Sequence, residues 1–155
     1  MTQDTAFSAE DVAARRRWMG VLARAGAGEM AAFLRDAPAL PPHTRLRGPE
    51  IGLAMVRGRQ GGDGAPFNLG EMTVTRCAVR VGDRLVGHAY VAGRDAEKAE
   101  LAAVLDAALQ DDALRPALLR AVVEPLAAAQ AERAARGARK AAATRVDFST
   151  LAVMR

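Results

Sequence analysis

Trp18, Val21, Leu22 and Ala25 recur at helical spacing, so the first patterned stretch predicts an amphipathic helix. Ser8 stands before it as an N-cap, with Asp11 three positions on, and Gly26 and Gly28 mark its end. A second short helix over residues 29–36 is closed by Pro38. The three prolines of "PALPPH" cannot continue it and make a loop. Ile51, Leu53 and Met55 then alternate as a half-buried strand does, and Arg57 and Arg59 continue the same face outward. Beyond the glycine-rich segment, Met72 and Val74 share one parity while Cys77, Val79 and Val81 share the other. A strand has a period of two, so this switch predicts a β-bulge near Thr75-Arg76. Gly82-Asp83 reads as a two-residue turn, and Leu85, Ala89 and Val91 mark the returning strand. The spacing predicts three antiparallel strands in a meander.

Asp95 is placed to cap the next helix, in which Leu101, Val104, Leu105, Ala108 and Leu109 form an amphipathic stripe. Leu114, Leu118, Val122 and Leu126 carry a further helix, with Pro116 in its first turn and Pro125 set to kink or divide it. An alanine-rich, arginine-studded helix follows. The tail "RVDFSTLAVMR" looks extended, and its alternating Val146, Phe148 and Leu151 fit a strand that pairs with another chain. The fold class is therefore α+β: N-terminal helices, an antiparallel sheet of three to four strands, C-terminal helices and an extended docking tail. With 155 residues, no internal repeat and no dividing linker, residues 1–155 read as a single domain.

Charge and composition narrow the chemistry. A net charge of +4 and a pI near 10.2 favour anionic partners. Cys77, the one cysteine, allows no intrachain disulfide and reads as a small buried hydrophobe in a cytoplasmic protein. No apolar leader or membrane-length run is present. His43 and His88 lack metal-ligand spacing to each other or to Cys77, so no metal site is expected.

The segment "GGDGAPFNLG" has two readings. Gly61, Gly62 and Gly64 make either a long connection between strands or, with the flanking Arg57 and Arg59, an anion cradle. No Walker lysine follows, and a strand rather than a helix comes next, which favours the connection. Arg76, inside an apolar strand, is either structural, with Glu71 as a partner, or reaches a ligand or interface. Arg94 lies at a strand–helix junction beside the capping Asp95. Arg133, Arg136 and Lys140 give the last helix a basic face, without the interleaved aromatics of a nucleic-acid binder. No catalytic constellation is visible.

Three stretches, "RGPEIGLAMVRGRQGGDGAPFNLGEMTVTRCAVRV", "GHAYVAGRDAEKAELAAVLDAALQ" and "TRVDFSTL", resemble the PhnG family, the G subunits of the phosphonate C–P lyase system. The resemblance covers nearly the whole chain. It implies an accessory subunit, with no catalytic site of its own, of α-D-ribose 1-methylphosphonate 5-triphosphate synthase. That multi-subunit transferase uses ATP as a substrate and displaces its adenine with an alkylphosphonate. The chain itself is expected to bind no cofactor. The implied partners are the H, I, J and L components, with two copies of this chain in the core complex and neither nucleic acid nor membrane. The alternatives are a purely structural scaffold of that complex and a small basic nucleic-acid-binding module, whose binding would fall with salt.

Overall fold

The computed structural model describes residues 8–145. Helix α1 (Ala9–Arg24) opens with the expected capping box: Ser8 Oγ accepts from Asp11 N–H at 3.1 Å, and Asp11 Oδ2 accepts from Ser8 N–H at 3.2 Å. It ends just before Ala25, and Gly26 is the N-cap of α2 (Ala27–Leu34), its N–H donating to Glu29 Oε2 at 2.9 Å. The second helix thus begins two residues earlier than its apolar spacing suggests.

Strands β1 (His43–Arg59), β2 (Pro66–Val81) and β3 (Leu85–Ala92) form an antiparallel meander in the order β1-β2-β3. The turn between β2 and β3 holds three residues, Gly82, Asp83 and Arg84, because Val81 pairs with Leu85. The bulge expected at Thr75-Arg76 is absent, for β2 pairs with β3 without a shift from Val74 to Val81. Register shifts lie elsewhere, between Arg45 and Arg47, between Arg47 and Glu50, and between Val56 and Arg57. The parity switch has another cause. Val74 and Met72 belong to one face, Thr75, Cys77 and Val79 to the other, and β2 changes which face carries its apolar residues.

Helix α3 (Ala96–Ala108), capped by Asp95 Oδ1 on Lys98 N–H at 2.9 Å, lies across the sheet. It departs from a simple amphipathic stripe: Ala99, Ala102, Ala103 and Ala107 are buried along with Val104, Leu105, Ala108 and Leu109. The sheet takes one side of it, and α1 and α2 pack on it as well. Small residues let the backbones close up, and Gly87 of β3 sits directly against Ala103 and Ala107 of α3.

Helix α4 (Arg115–Leu118), a π-helical turn (Leu119–Val123) and α5 (Glu124–Ala143) follow one another directly. Pro125 explains the wide turn, since it has no N–H to return to the preceding turn; Glu124 N–H reaches back to Leu119 O instead. Leu118, Val122, Val123 and Leu126 are buried against the core, whereas residues 131–145 of α5 and its end are exposed. Among the described residues no helix is long and apolar enough to cross a membrane. The tail positions Val146, Phe148 and Leu151 lie outside the described residues.

Beneath α1, Asp106 is fully buried and held by four donors. Arg15 Nη2 and Nε donate to it at 2.7 and 3.1 Å, Trp18 Nε1 at 2.9 Å and the His88 backbone N–H at 2.9 Å. This one carboxylate ties α1 and β3 to α3. Among the described residues no buried side-chain nitrogen or oxygen lacks a partner.

Candidate functional site

Cross-strand partners in a sheet share a face. Ile51 pairs with Thr75, and Thr75 pairs with Val91, both buried under α3. Ile51, Leu53 and Met55 therefore continue the core face of the sheet, yet they are 62, 65 and 52% exposed. The expectation of a half-buried strand is corrected here: the row lies on the apolar face, but nothing described covers it. β3 reaches only to Ala92, opposite Val74, so residues 66–73 of β2 have β1 on one side and no strand on the other. Beyond this point β1 and β2 run on as a two-stranded arm.

The opposite face of the arm is apolar too. Met72 pairs with Ala54 and is 40% exposed; Phe67 pairs with Gly58 and is 45% exposed. Leu69, at the register shift, is 65% exposed. Of the nine large hydrophobic residues exposed among those described, seven lie on β1 and β2; five of these lie on the arm, and Ile51 stands at its root. Single exposed hydrophobes are ordinary, but a concentration on both sides of one ribbon marks an interaction surface.

The arginines singled out from sequence fall into separate places. Arg57 and Arg59 sit at the distal end of the arm, opposite Asn68 and Pro66, in the same β1 row as Ile51, Leu53 and Met55. The Arg57 side chain makes no hydrogen bond or ion pair among the described residues, while Arg59 Nη1 donates to Gly64 O at 3.1 Å. Residues 60–65 connect the two strands. Gly61 and Gly62 take φ of 63 and 93°, and a Cβ on Gly64 would come within 2.6 Å of Gln60 O. Arg59 thus braces the loop through its carbonyl.

Arg76 lies elsewhere, opposite Glu50 and about 23 Å from Arg57 along β1 at ~3.3 Å per residue. Its partner is Glu50 at 3.2 Å and not Glu71, because Glu50 faces it directly across the ladder. Arg94 is exposed in the turn between β3 and α3. Buried Thr75 fastens that turn: its hydroxyl donates to Gly93 O at 2.7 Å and accepts from Asp95 N–H at 3.0 Å. The four arginines therefore do not converge on one pocket.

At the opposite end of β1 from the arm, Glu100 of α3 takes a bidentate pair from Arg45 at 2.7 Å, and His43 Nε2 lies 3.1 Å away. Arg45, then His43, hold the Glu100 carboxyl below the usual carboxylate range. A carboxyl lowered in the folded state adds stability above its unfolded pKa, and that stability is lost as pH falls through the folded value. Glu100→Gln is expected to cost about 1 kcal/mol near neutrality, because Arg45 is largely exposed, and little at acid pH. Urea unfolding of both proteins at the two ends of this range checks it, a pH-independent difference being the contrary result. Cys77 is buried and its Sγ reaches Arg47 O at 3.3 Å; burial pushes the thiol up, as fits a packing residue. Among the described residues no three His, Cys, Asp or Glu side chains group to hold a metal.

Sequence periodicity did not identify the arm as uncovered, nor Asp106 as a buried charge. The signal for Asp106 was present in "AAVLDAAL", where one carboxylate interrupts a wholly apolar helical run. Comparison with known proteins agrees with the resemblance noted above. The family model described as phosphonate metabolism protein PhnG matches residues 13–153. The chain is 46% identical, over 153 residues covering 96% of each chain, to the α-D-ribose 1-methylphosphonate 5-triphosphate synthase subunit PhnG of Rhizobium meliloti (strain 1021). With a family match and a relative that both span nearly its full length, this chain belongs to the PhnG family of phosphonate metabolism proteins.

Proposed function

We propose that the chain, as one domain over residues 1–155, is the accessory G subunit of an α-D-ribose 1-methylphosphonate 5-triphosphate synthase. Its proposed role is to complete the assembly in which an alkylphosphonate displaces adenine from ATP. The observation that carries this reading is the apolar arm exposed on both faces, which an obligate subunit hides in its complex. The relative's name supports the choice of complex. In this reading ATP belongs to the complex as substrate, and this chain binds no cofactor. H, I and L are its partners in the synthase, J joins in the core complex, and two copies of this chain are present. The anion role expected for Arg57, Arg59, Arg76 and Arg94, with Gly61, Gly62 and Gly64, becomes that of meeting an anionic group held by a partner subunit.

Reconstitution tests the proposal. ATP, methylphosphonate and purified H, I and L components are combined with and without this chain, phosphorus NMR following the new ester and chromatography the adenine. Product is expected only when the chain is present; equal product without it removes the assignment. Arg76→Ala is a second test. Full synthase activity in an intact complex would end any substrate role for that residue and leave the Glu50 ion pair as its whole function.

A further inference from the structure

We infer that the arm is a two-sided plug, inserted into an apolar cleft of an acidic partner subunit and enclosed on both faces. This rests on the accessory-subunit reading and adds to it a surface, a mode of docking and the chemistry of the partner. One flat contact would cover Ile51, Leu53 and Met55 and leave Met72 and Phe67 in water, or the reverse. Covering both faces takes partner surface above and below a ribbon of two strands. The strands themselves have free outer edges here, so a cleft wall can also add backbone hydrogen bonds to β1.

Charge decides what kind of partner fits. The row Ile51, Leu53, Met55 runs into Arg57 and Arg59 at the end that enters first. Arg57 has no partner among the described residues, and burying it unpaired would be costly. The deep end of the cleft must therefore present a carboxylate or a bound anion, of which we choose the carboxylate: it is fixed in the partner and present whether or not substrate is bound. A second copy of this chain fits poorly. It carries a net +4, Glu50 is already engaged by Arg76 and Arg47, and Glu71, opposite Met55 on the same face, is a single carboxylate against the two arginines at the arm's end.

The test places a photo-reactive benzoylphenylalanine at Leu53, and separately at Met72, in the full chain assembled with the H, I and L components. Both positions are expected to cross-link to a partner subunit. Leu53→Glu and Met72→Glu should each weaken assembly at least about 30-fold, as central interface residues do. Arg57→Glu should weaken it about 10-fold, and Arg84→Glu, in the exposed turn at the opposite end of β2, should not. The free variants should melt with the parent, since these side chains are exposed in the isolated chain. Cross-links from one face alone, or cross-links to a second copy of this chain, overturn the plug. Assembly of the parent with both glutamate variants unimpaired overturns it while sparing the subunit reading. Failure of the parent itself to assemble with H, I and L overturns both.

Discussion

Asp106→Ala is expected to destabilise the chain by about 3–5 kcal/mol, the largest effect of any single side-chain truncation considered. The carboxylate is fully buried and accepts from Arg15, Trp18 and the His88 backbone. Its removal leaves the Trp18 indole N–H and a strand N–H without acceptors and Arg15 beside an apolar void. For a protein of this size the melting temperature should fall by roughly 10 °C or more. Asp106→Asn should lose less, because it retains an acceptor oxygen but no charge. Arg15→Met should also be severe, since it strands a buried carboxylate. The double variant Asp106→Leu, Arg15→Met should cost less than the sum of the two single losses. Thermal melts of these variants decide the matter; additive losses would mean that the pair is not a coupled unit.

Gly87→Ala is expected to cost about 3 kcal/mol, at the upper end of overpacking effects. A Cβ at this position would lie 2.0 Å from Ala103 O, 2.6 Å from Ala107 N and 2.9 Å from Ala107 Cβ. Two of these atoms are backbone, which cannot swing away, so α3 must lift from β3 along the whole contact. The control is Gly137→Ala on the exposed part of α5, where no atom lies within 4 Å. There the added methyl should stabilise by about 0.5–1 kcal/mol through helix propensity. Opposite signs for the same chemical change are the expected result in chemical denaturation. A Gly87→Ala protein as stable as its parent would refute the close contact.

Local chemistry made much of the architecture legible. The Ser8–Asp11 box, the Asp95 cap, the three strands and the interruption at Pro125 each depend on groups a few residues apart, and each appears in the structure. The three motif stretches were likewise enough to suggest the family. The misplaced bulge came from assuming that one face of β2 must carry all its apolar residues. An uncovered arm with two apolar faces breaks that assumption.

By itself, then, the sequence determined which residues share a face, where helices begin and to which family the chain belongs, because period, capping and motif are properties of neighbouring residues. Only the tertiary structure decided which faces are covered. Helix α3, with 13 residues, spans about 20 Å, whereas the 17 residues of β1 span about 55 Å. Alternation at Ile51, Leu53 and Met55 says that they point the same way; the reach of α3 decides that they point into solvent. The same holds for Asp106 and Gly87, whose importance comes from partners 16 to 91 positions away that folding brings within hydrogen-bonding or van der Waals distance.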